Sequence, residues 1–144
     1  MSTLVIDTIQ GKTTAGSVNV RGEGSANTNL QQGLLKNFMN MTSDGTASIR
    51  DSFNTSSITD RGVGDFTTAF TNSFRAVEYS FNGNAGKGTS QSDSRNTGGI
   101  TFDDYSSSAS GPQTGSCMFT LRRKDNNVNS DAAYLMTQIA GDLA

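Results

Sequence analysis

Few residues of this chain could carry out chemistry, and their types exclude most catalytic mechanisms. The 144 residues contain no histidine and a single cysteine, Cys117. A Ser-His or Cys-His catalytic pair therefore cannot form, nor can an internal disulfide or a zinc site built on cysteines. Cys117 lies in the alternating segment SCMFTL. A buried free thiol that packs as a small apolar side chain is the simplest interpretation of that pattern.

Two adjacent acidic residues, Asp103 and Asp104, are the strongest candidates for acid–base chemistry or calcium binding. Neighbouring side chains on a strand point to opposite faces, so the two carboxylates would not converge on one substrate. In a loop they could share a divalent ion with Asp93, but the spacing fits no calcium-binding loop. We therefore predict no catalytic residues and no metal site.

Two glycine–lysine pairs invite comparison with a phosphate-binding loop. Lys12 is followed by Thr13, but Ile6 stands where the first glycine of that motif belongs. Lys87 is followed by Gly88 instead of a hydroxyl residue. Turns explain both segments better, and the chain has no dinucleotide-binding fingerprint in a strand–helix setting. We therefore predict no cofactor.

Recognition of another molecule at the surface is the chemistry that remains. Two long polar segments, residues 83–99 and 106–116, are predicted to be outward-facing loops. Exposed aromatic rings beside Asn, Ser and Asp hold sugars by stacking and hydrogen bonding. Tyr105, Lys87 and Arg95 are therefore our candidates for contact with a surface glycan. The alternative for Tyr105 is a purely structural role at the end of a strand.

The elements that must position these loops are typical of an all-β protein. Short alternating runs are punctuated by Gly, Asn and Ser, which indicates strands and turns. The stretch 47–71 predicts a strand with Ile49 and Phe53 as its large apolar anchors, a tight turn containing glycine, and a second strand with Phe66, Thr68 and Phe70 on one face. The aspartates of this stretch, Asp51, Asp60 and Asp65, are predicted to cap backbone N–H groups or to pair with Arg50 and Arg61. We predict an antiparallel β-sandwich, jelly-roll-like, over residues 31–144.

Further segments are predicted to supply the other strands and turns of that sandwich. The pattern from residue 30 to residue 41 predicts a helical turn and then a strand, and Asp44-Gly45 predicts a hairpin turn. Val77, Tyr79 and Phe81 share one face of a predicted strand, Ile100 and Phe102 begin another, and Tyr134 is also predicted to lie in a strand. Two later strands are predicted to point alternate residues inward: Cys117, Phe119 and Leu121 in one, and Leu135, Thr137 and Ile139 in the other.

Residues 1–30 are predicted to form a short extended N-terminal arm. Leu4, Val5, Ile6 and Ile9 make a brief apolar run, and the rest of this region is polar and rich in glycine. Such arms become ordered against a neighbouring protein, so we predict a docking arm; a mobile tail is the alternative. Only 33% of the chain is hydrophobic, which predicts a core shared between copies, because small domains bury little of their own surface.

One segment resembles a known family. The segment IRDSFNTSSITDRGVGDFTTAF, residues 49–70, resembles a β-rich module in virion proteins of tailed bacteriophages, most familiar from tail-fibre-like proteins of marine and cyanobacterial phages. MSTLVIDTIQGKTTAGSV and NLQQGLLKNFMNM are similar to the start of such proteins and to the strand that enters the module. DAAYLMTQIAGD is a looser match. The resemblance implies a non-enzymatic structural protein of the virion, and it carries no active-site residues with it.

These observations together favour a tail-fibre or receptor-binding module that assembles as a homotrimer. Its expected partners are its own copies, other virion proteins through the arm, and a host surface glycan. A head-decoration (capsid cement) protein is the alternative, since fibre proteins of the family are usually much longer.

Other classes fit the sequence less well. A net charge of −2 argues against nucleic acid as a partner. No stretch is long enough to insert into a membrane. The first residues lack the features of a signal peptide, which disfavours a secreted sugar-binding domain; we expect synthesis in the host cytoplasm and location in the virion.

Overall fold

The computed structural model describes residues 3–12, 18–21, 27–86, 99–102, 111–123 and 127–144. The chain divides into two compact units, Met1–Leu34 and Leu35–Ala144. In the first unit, residues 3–12 have no regular secondary structure. The unit also contains a short antiparallel ribbon and one helical turn: β1 (Asn19–Arg21), β2 (Asn27–Asn29) and α1 (Leu30–Gly33).

The second unit is a single antiparallel sheet of eight strands. Its order is β4-β3-β10-β7-β8-β9-β6-β5, so the first and last strands of the unit, β3 and β10, lie side by side. The strands are β3 (Asn37–Thr42), β4 (Ser48–Phe53), β5 (Thr55–Gly62), β6 (Asp65–Phe70), β7 (Ser80–Gly86), β8 (Gly99–Phe102), β9 (Ser116–Arg122) and β10 (Tyr134–Ala140).

The sheet curls over to form two layers that enclose a core. Four strands separate β3 from β6 in the sheet order, yet Met39 of β3 and Phe66 of β6 belong to one buried cluster with Phe119 and Leu135. A flat sheet could not bring these side chains together. The result is a nearly closed, barrel-like sandwich with β4-β3-β10-β7 as one layer and β8-β9-β6-β5 as the other. This confirms the predicted all-β antiparallel class.

The strand order explains how the layers are connected. The consecutive strands β7, β8 and β9 lie side by side, and β10 returns to pair with β7, which is a Greek key. On the far side of the same three strands, β6 pairs with β9. Between the layers, the described residues of β7 and β8 form the pair Asn84 and Gly99.

At the other junction the chain crosses from layer to layer at Asn54, between β4 and β5. Asn54 has a φ of 58°, a left-handed conformation that Asn adopts more readily than most residues. Its side-chain amide donates to the carbonyl oxygens of Lys36 (3.0 Å) and Asn72 (3.1 Å), and its Oδ1 accepts from the N–H of Asn72 at 2.6 Å. The amide of Asn37, fully buried, donates to the carbonyl of Asn54 at 3.1 Å. Buried amides therefore fix this corner of the sandwich.

The central hairpin forms as its turn residues predict. The chain reverses between Gly62 and Asp65, and Gly64 has a φ of 67°. A Cβ on Gly64 would lie 2.6 Å from the carbonyl oxygen of Leu121 and from the nitrogen of Ser130. Glycine is required there because two neighbouring backbones pass directly over the turn.

Most of the predicted alternation is confirmed by burial, but two predicted strand boundaries are wrong. The predicted first strand of the stretch 47–71 is divided at Asn54 into β4 and β5. The strand predicted from Val77 begins at Ser80 and continues to Gly86, inside the predicted loop 83–99, because its pairing with β10 extends that far. Phe66, Thr68 and Phe70 are buried, as are the inward residues of β9 and β10. The helical turn at residue 30, the strand after it and the turn at Gly45 also form. Phe53, expected to anchor the core from β4, is 52% exposed instead, because its partner across the strands is Phe38, which lies on the outer side of β3.

Candidate interaction surface

The most distinctive surface of the second unit is the outer side of the layer β4-β3-β10-β7. Side chains alternate between the two faces of a strand, so the buried Met39 and Leu135 place Phe38 and Tyr134 outward. We call this outer side the open face. Two rows of side chains cross it from β7 to β4: Asn84, Met136, Asn40 and Asp51 in one, and Asn82, Gln138, Phe38 and Phe53 in the other.

An apolar band runs diagonally across these two rows. Phe38 and Phe53 stack with their ring centroids 6.4 Å apart. Met136 lies diagonally next to Phe38, and Tyr134 is two residues further along the same strand. Tyr134 and Met136 are 47% and 45% exposed. The open face thus combines accessible apolar surface with amide groups on both sides.

A bulge in β4 brings a positive charge over this band. The register between β3 and β4 shifts so that Asn40 faces Asp51 while Met41 faces Ile49, which leaves Arg50 as the extra residue. The Arg50 guanidinium lies 4.6 Å from the centroid of the Tyr134 ring. The ring's negative face attracts the cation. Arg50 had been expected to pair with an aspartate, and it packs on a tyrosine instead.

The outer side of the other layer is covered. Met118 of β9 points away from the core clusters and is only 2% exposed, and Thr120 is equally buried. The Arg61 side chain contacts the sulfur of Met118 and pairs with Asp65 at 3.9 Å. The N–H of Met118 also donates to the carbonyl of Gly111 at 3.3 Å. This layer therefore offers no open strip along its central strand, unlike the layer with Tyr134.

The predicted site residues fall into two groups. Tyr105, Lys87 and Arg95, the candidates for glycan contact, lie outside the described residues, as do Asp93, Asp103 and Asp104. Leu4, Val5, Ile6 and Ile9 of the predicted arm are described and all four are exposed. Docking of this segment on another protein stays a prediction.

Two aspartates accept hydrogen bonds from backbone N–H groups in the turn of the central hairpin. Asp60 accepts a hydrogen bond from the N–H of Gly62 at 3.0 Å, as expected for a residue that caps a turn. Asp131, from another part of the chain, accepts from the N–H of Gly64 at 2.9 Å. Within the described ranges, no three His, Cys, Asp or Glu side chains are grouped as a metal site would require.

Among the described residues, Cys117 and Tyr79 are the titratable groups whose pKa values are clearly shifted. Burial raises the pKa of the Cys117 thiol to about 12, against a smaller opposing effect of the Tyr79 hydrogen bond. Burial, and secondarily Cys117, also raises the pKa of Tyr79. The Tyr79 hydroxyl donates to the carbonyls of Gln113 and Ser116, both at 3.2 Å. A thiol held neutral in this way is a poor nucleophile, so the pair contributes to packing.

Sequence reasoning missed Arg50 and the band through Phe38, although part of the signal was present. Once Leu135, Thr137 and Ile139 are placed inward, alternation alone places Tyr134 and Met136 outward. The β4 bulge, in contrast, leaves no local sequence signal, since it depends on which residues of β3 face it.

Comparison of the chain with protein-family models, with curated proteins and with solved structures found no match in any of the three. In the part of the chain that the structure describes, no helix has the length and apolarity needed to span a membrane.

Proposed function

We propose that this chain is a non-enzymatic structural protein of a tailed-phage virion, a tail-fibre-like module that assembles as a homo-oligomer, with three copies as the expected number. The observation that carries the proposal is the open face, where three large side chains are about half exposed on a rigid sheet. Exposed apolar surface that is contiguous marks a site of interaction. The resemblance of residues 49–70 to phage virion modules supplies the biological setting.

The proposed mechanism is display of several identical copies. The exposed apolar residues of the first unit, Leu4, Val5, Ile6 and Ile9, would dock on another virion protein. The second unit would present its loops to the host surface. Weak contacts with a host glycan, repeated on several linked copies, add to a large total affinity through effective concentration.

Localisation in purified particles tests this proposal. Antibodies against the chain, detected by gold labelling in electron microscopy, should mark the tail. Labelling spread over the icosahedral shell would replace the tail-fibre assignment by capsid decoration, the alternative assignment. Absence of the chain from purified particles, checked by mass spectrometry, would contradict both.

A second experiment addresses attachment. Purified chain added to host cells should reduce phage adsorption, with heat-unfolded chain as the control. Unchanged adsorption at saturating protein would remove host recognition from the proposal and leave a structural role.

A further inference from the structure

We propose that the open face is the surface by which copies of this chain bind one another, with Phe38, Phe53, Tyr134 and Met136 forming an apolar core shared between them. This deepens the proposed function, on which it rests for the existence of a homo-oligomer. It names the surface that mediates the assembly and identifies the occupant of the open face as a second copy.

The first argument is the contrast between the two layers. In one layer the chain itself covers the outer methionine, Met118, with the side chain of Arg61. In the other layer the corresponding methionine on the central strand, Met136, is 45% exposed. Along the central strands of the two layers, as far as the structure describes them, the outer strip that stays accessible to a partner is the one on the open face.

The second argument is the composition of the open face. Protein interfaces are enriched in aromatic residues, methionine and arginine, and depleted of lysine and glutamate. The four strands of this layer, NFMNMT, SIRDSF, SFNGNAG and YLMTQIA, contain no lysine and no glutamate. The strands of the other layer contain none either, so the feature that distinguishes the open face is its exposed apolar band. The apolar band supplies the aromatic and methionine residues. A protein partner accounts for this combination better than a sugar, which needs no apolar band of four side chains.

The third argument is charge complementarity with a second copy. Arg50 and Asp51 are adjacent in β4, and among the described residues neither forms an ion pair, the pair of Arg61 and Asp65 being the one found there. A copy related by a two-fold axis presents its Asp51 to Arg50 and its Arg50 to Asp51, and around a three-fold axis the Arg50 of each copy can face the Asp51 of the next. In either arrangement opposite charges meet between identical subunits.

The area of the face sets the expected strength. Four strands about 4.8 Å apart and six residues of about 3.3 Å each give roughly 400 Å² in projection. A stable interface buries about 800 Å² on each partner. The open face alone therefore supports only a weak association. Substitutions on this face should change its dissociation constant measurably.

Sedimentation equilibrium on the full chain, over a range of concentrations, tests the inference. We expect the average mass to rise with concentration for the natural sequence. Phe53→Ser and Met136→Ser should each weaken self-association about tenfold, by loss of an apolar contact within the interface. Val63→Ser is the matched control, because Val63 is 61% exposed at the tip of the β5–β6 hairpin and lies off the open face. It should leave self-association unchanged.

Charge reversal provides a test that misfolding cannot imitate. Arg50→Glu and Asp51→Arg should each weaken self-association, and the double variant should restore much of it, because the opposite charges again meet between copies. Circular dichroism and thermal melting of each variant check that the monomer still folds. Rescue by the double variant would support the open face as the contact between copies.

Three outcomes would overturn the inference: a single-chain mass at every concentration, equal self-association of Met136→Ser and Val63→Ser, or a double charge variant no better than the single ones. Glycan binding that is lost in Tyr134→Ala while the mass stays that of one chain would identify the face as a sugar site instead. Labelling of phage particles is independent of all these results, so the proposed virion role can stand or fall separately.

Discussion

The two layers of the sandwich are built alike and differ on their outer sides. Each has a methionine on a central strand that points away from the core, Met118 on β9 and Met136 on β10. The first is 2% exposed and the second 45%. Alternation along the strand is the same in both cases, so what distinguishes the two methionines is whether another part of the chain lies over them.

An arginine on each edge strand accompanies that difference. Arg61, on the edge strand β5, contacts the sulfur of Met118 and pairs with Asp65. Arg50, on the opposite edge strand β4, extends over Tyr134, and Met136 stays accessible. Arg61 contributes to covering its layer, whereas Arg50 adds a positive charge to a layer that stays open. We expect burial to determine how much stability a substitution costs at such positions. Four predictions test this expectation, from the largest effect to the smallest.

Met118→Ala should lower the free energy of unfolding by about 3 kcal/mol, because truncating a buried methionine loses its packing and leaves a cavity. Met136→Ala should cost less than about 1 kcal/mol in dilute solution, since half of that side chain is already in water. Urea denaturation of both variants measures the two losses. Equal losses would mean that the outer side of the β9 layer is no better packed than the open face.

Gly64→Ala and Gly45→Ala compare a covered turn with an uncovered one. Both glycines have positive φ, 67° and 86°, so alanine is strained in either position by about 1 kcal/mol. Only Gly64 has backbone atoms within 2.6 Å of the added Cβ, whereas nothing lies within 4 Å at Gly45. We expect Gly64→Ala to cost about 2 to 3 kcal/mol in total. Thermal melting checks the order, and a Gly45→Ala loss as large as that of Gly64→Ala would contradict it.

Asn54→Gly and Asn127→Gly compare two asparagines with nearly the same left-handed backbone, φ 58° and 57°. Glycine keeps that conformation without strain, so the substitution removes the side chain alone. At the buried corner, loss of the hydrogen bonds to Lys36 and Asn72 should cost about 2 kcal/mol. At the exposed Asn127 the change should stay within about 0.5 kcal/mol. Chemical denaturation measures both, and a neutral Asn54→Gly would show that the corner does not depend on its amides.

Stability should fall in alkaline solution through the buried Cys117. Its pKa is raised to about 12 in the folded chain, compared with about 8.5 for an unfolded thiol. The folded state therefore favours the neutral thiol, and this stabilisation is complete below the unfolded pKa and is lost as the pH rises from about 8.5 towards 12. Under reducing conditions we expect a decline of about 1 kcal/mol per pH unit.

Cys117→Ala isolates that contribution. The variant should show little change in unfolding free energy between pH values of about 8.5 and 10, and a decline only above about 10, where an unfolded tyrosine ionises and Tyr79 begins to contribute. Denaturation curves across this range provide the measurement. A parallel decline in the variant and the natural chain would assign the alkaline sensitivity to other groups.

Much of the fold could be predicted because its signals are local. The inward residues of β6, β9 and β10 follow from period-two alternation, and the turns at Gly45 and Gly64 follow from residues that tolerate positive φ. Phe53 was misplaced because alternation does not say which of the two faces is the core. Tertiary pairing with Phe38 decided that choice.

The candidate surface was less predictable for the same reason. Tyr134 was recognised as a strand residue, but its partner Arg50 comes from a strand that is not adjacent to β10 in the sheet. The reach of Arg50 across β3 depends on a bulge, and a bulge is defined by pairing between strands.

The sequence by itself determined the antiparallel β class, the turns at Gly45 and Gly64, and the inward residues of β6, β9 and β10, because each of these depends on residues only a few positions apart. The tertiary structure decided that the sheet closes through buried amides at Asn54, and that one layer is covered while the other is open. Those features depend on contacts between residues far apart in the chain, which a local pattern does not contain.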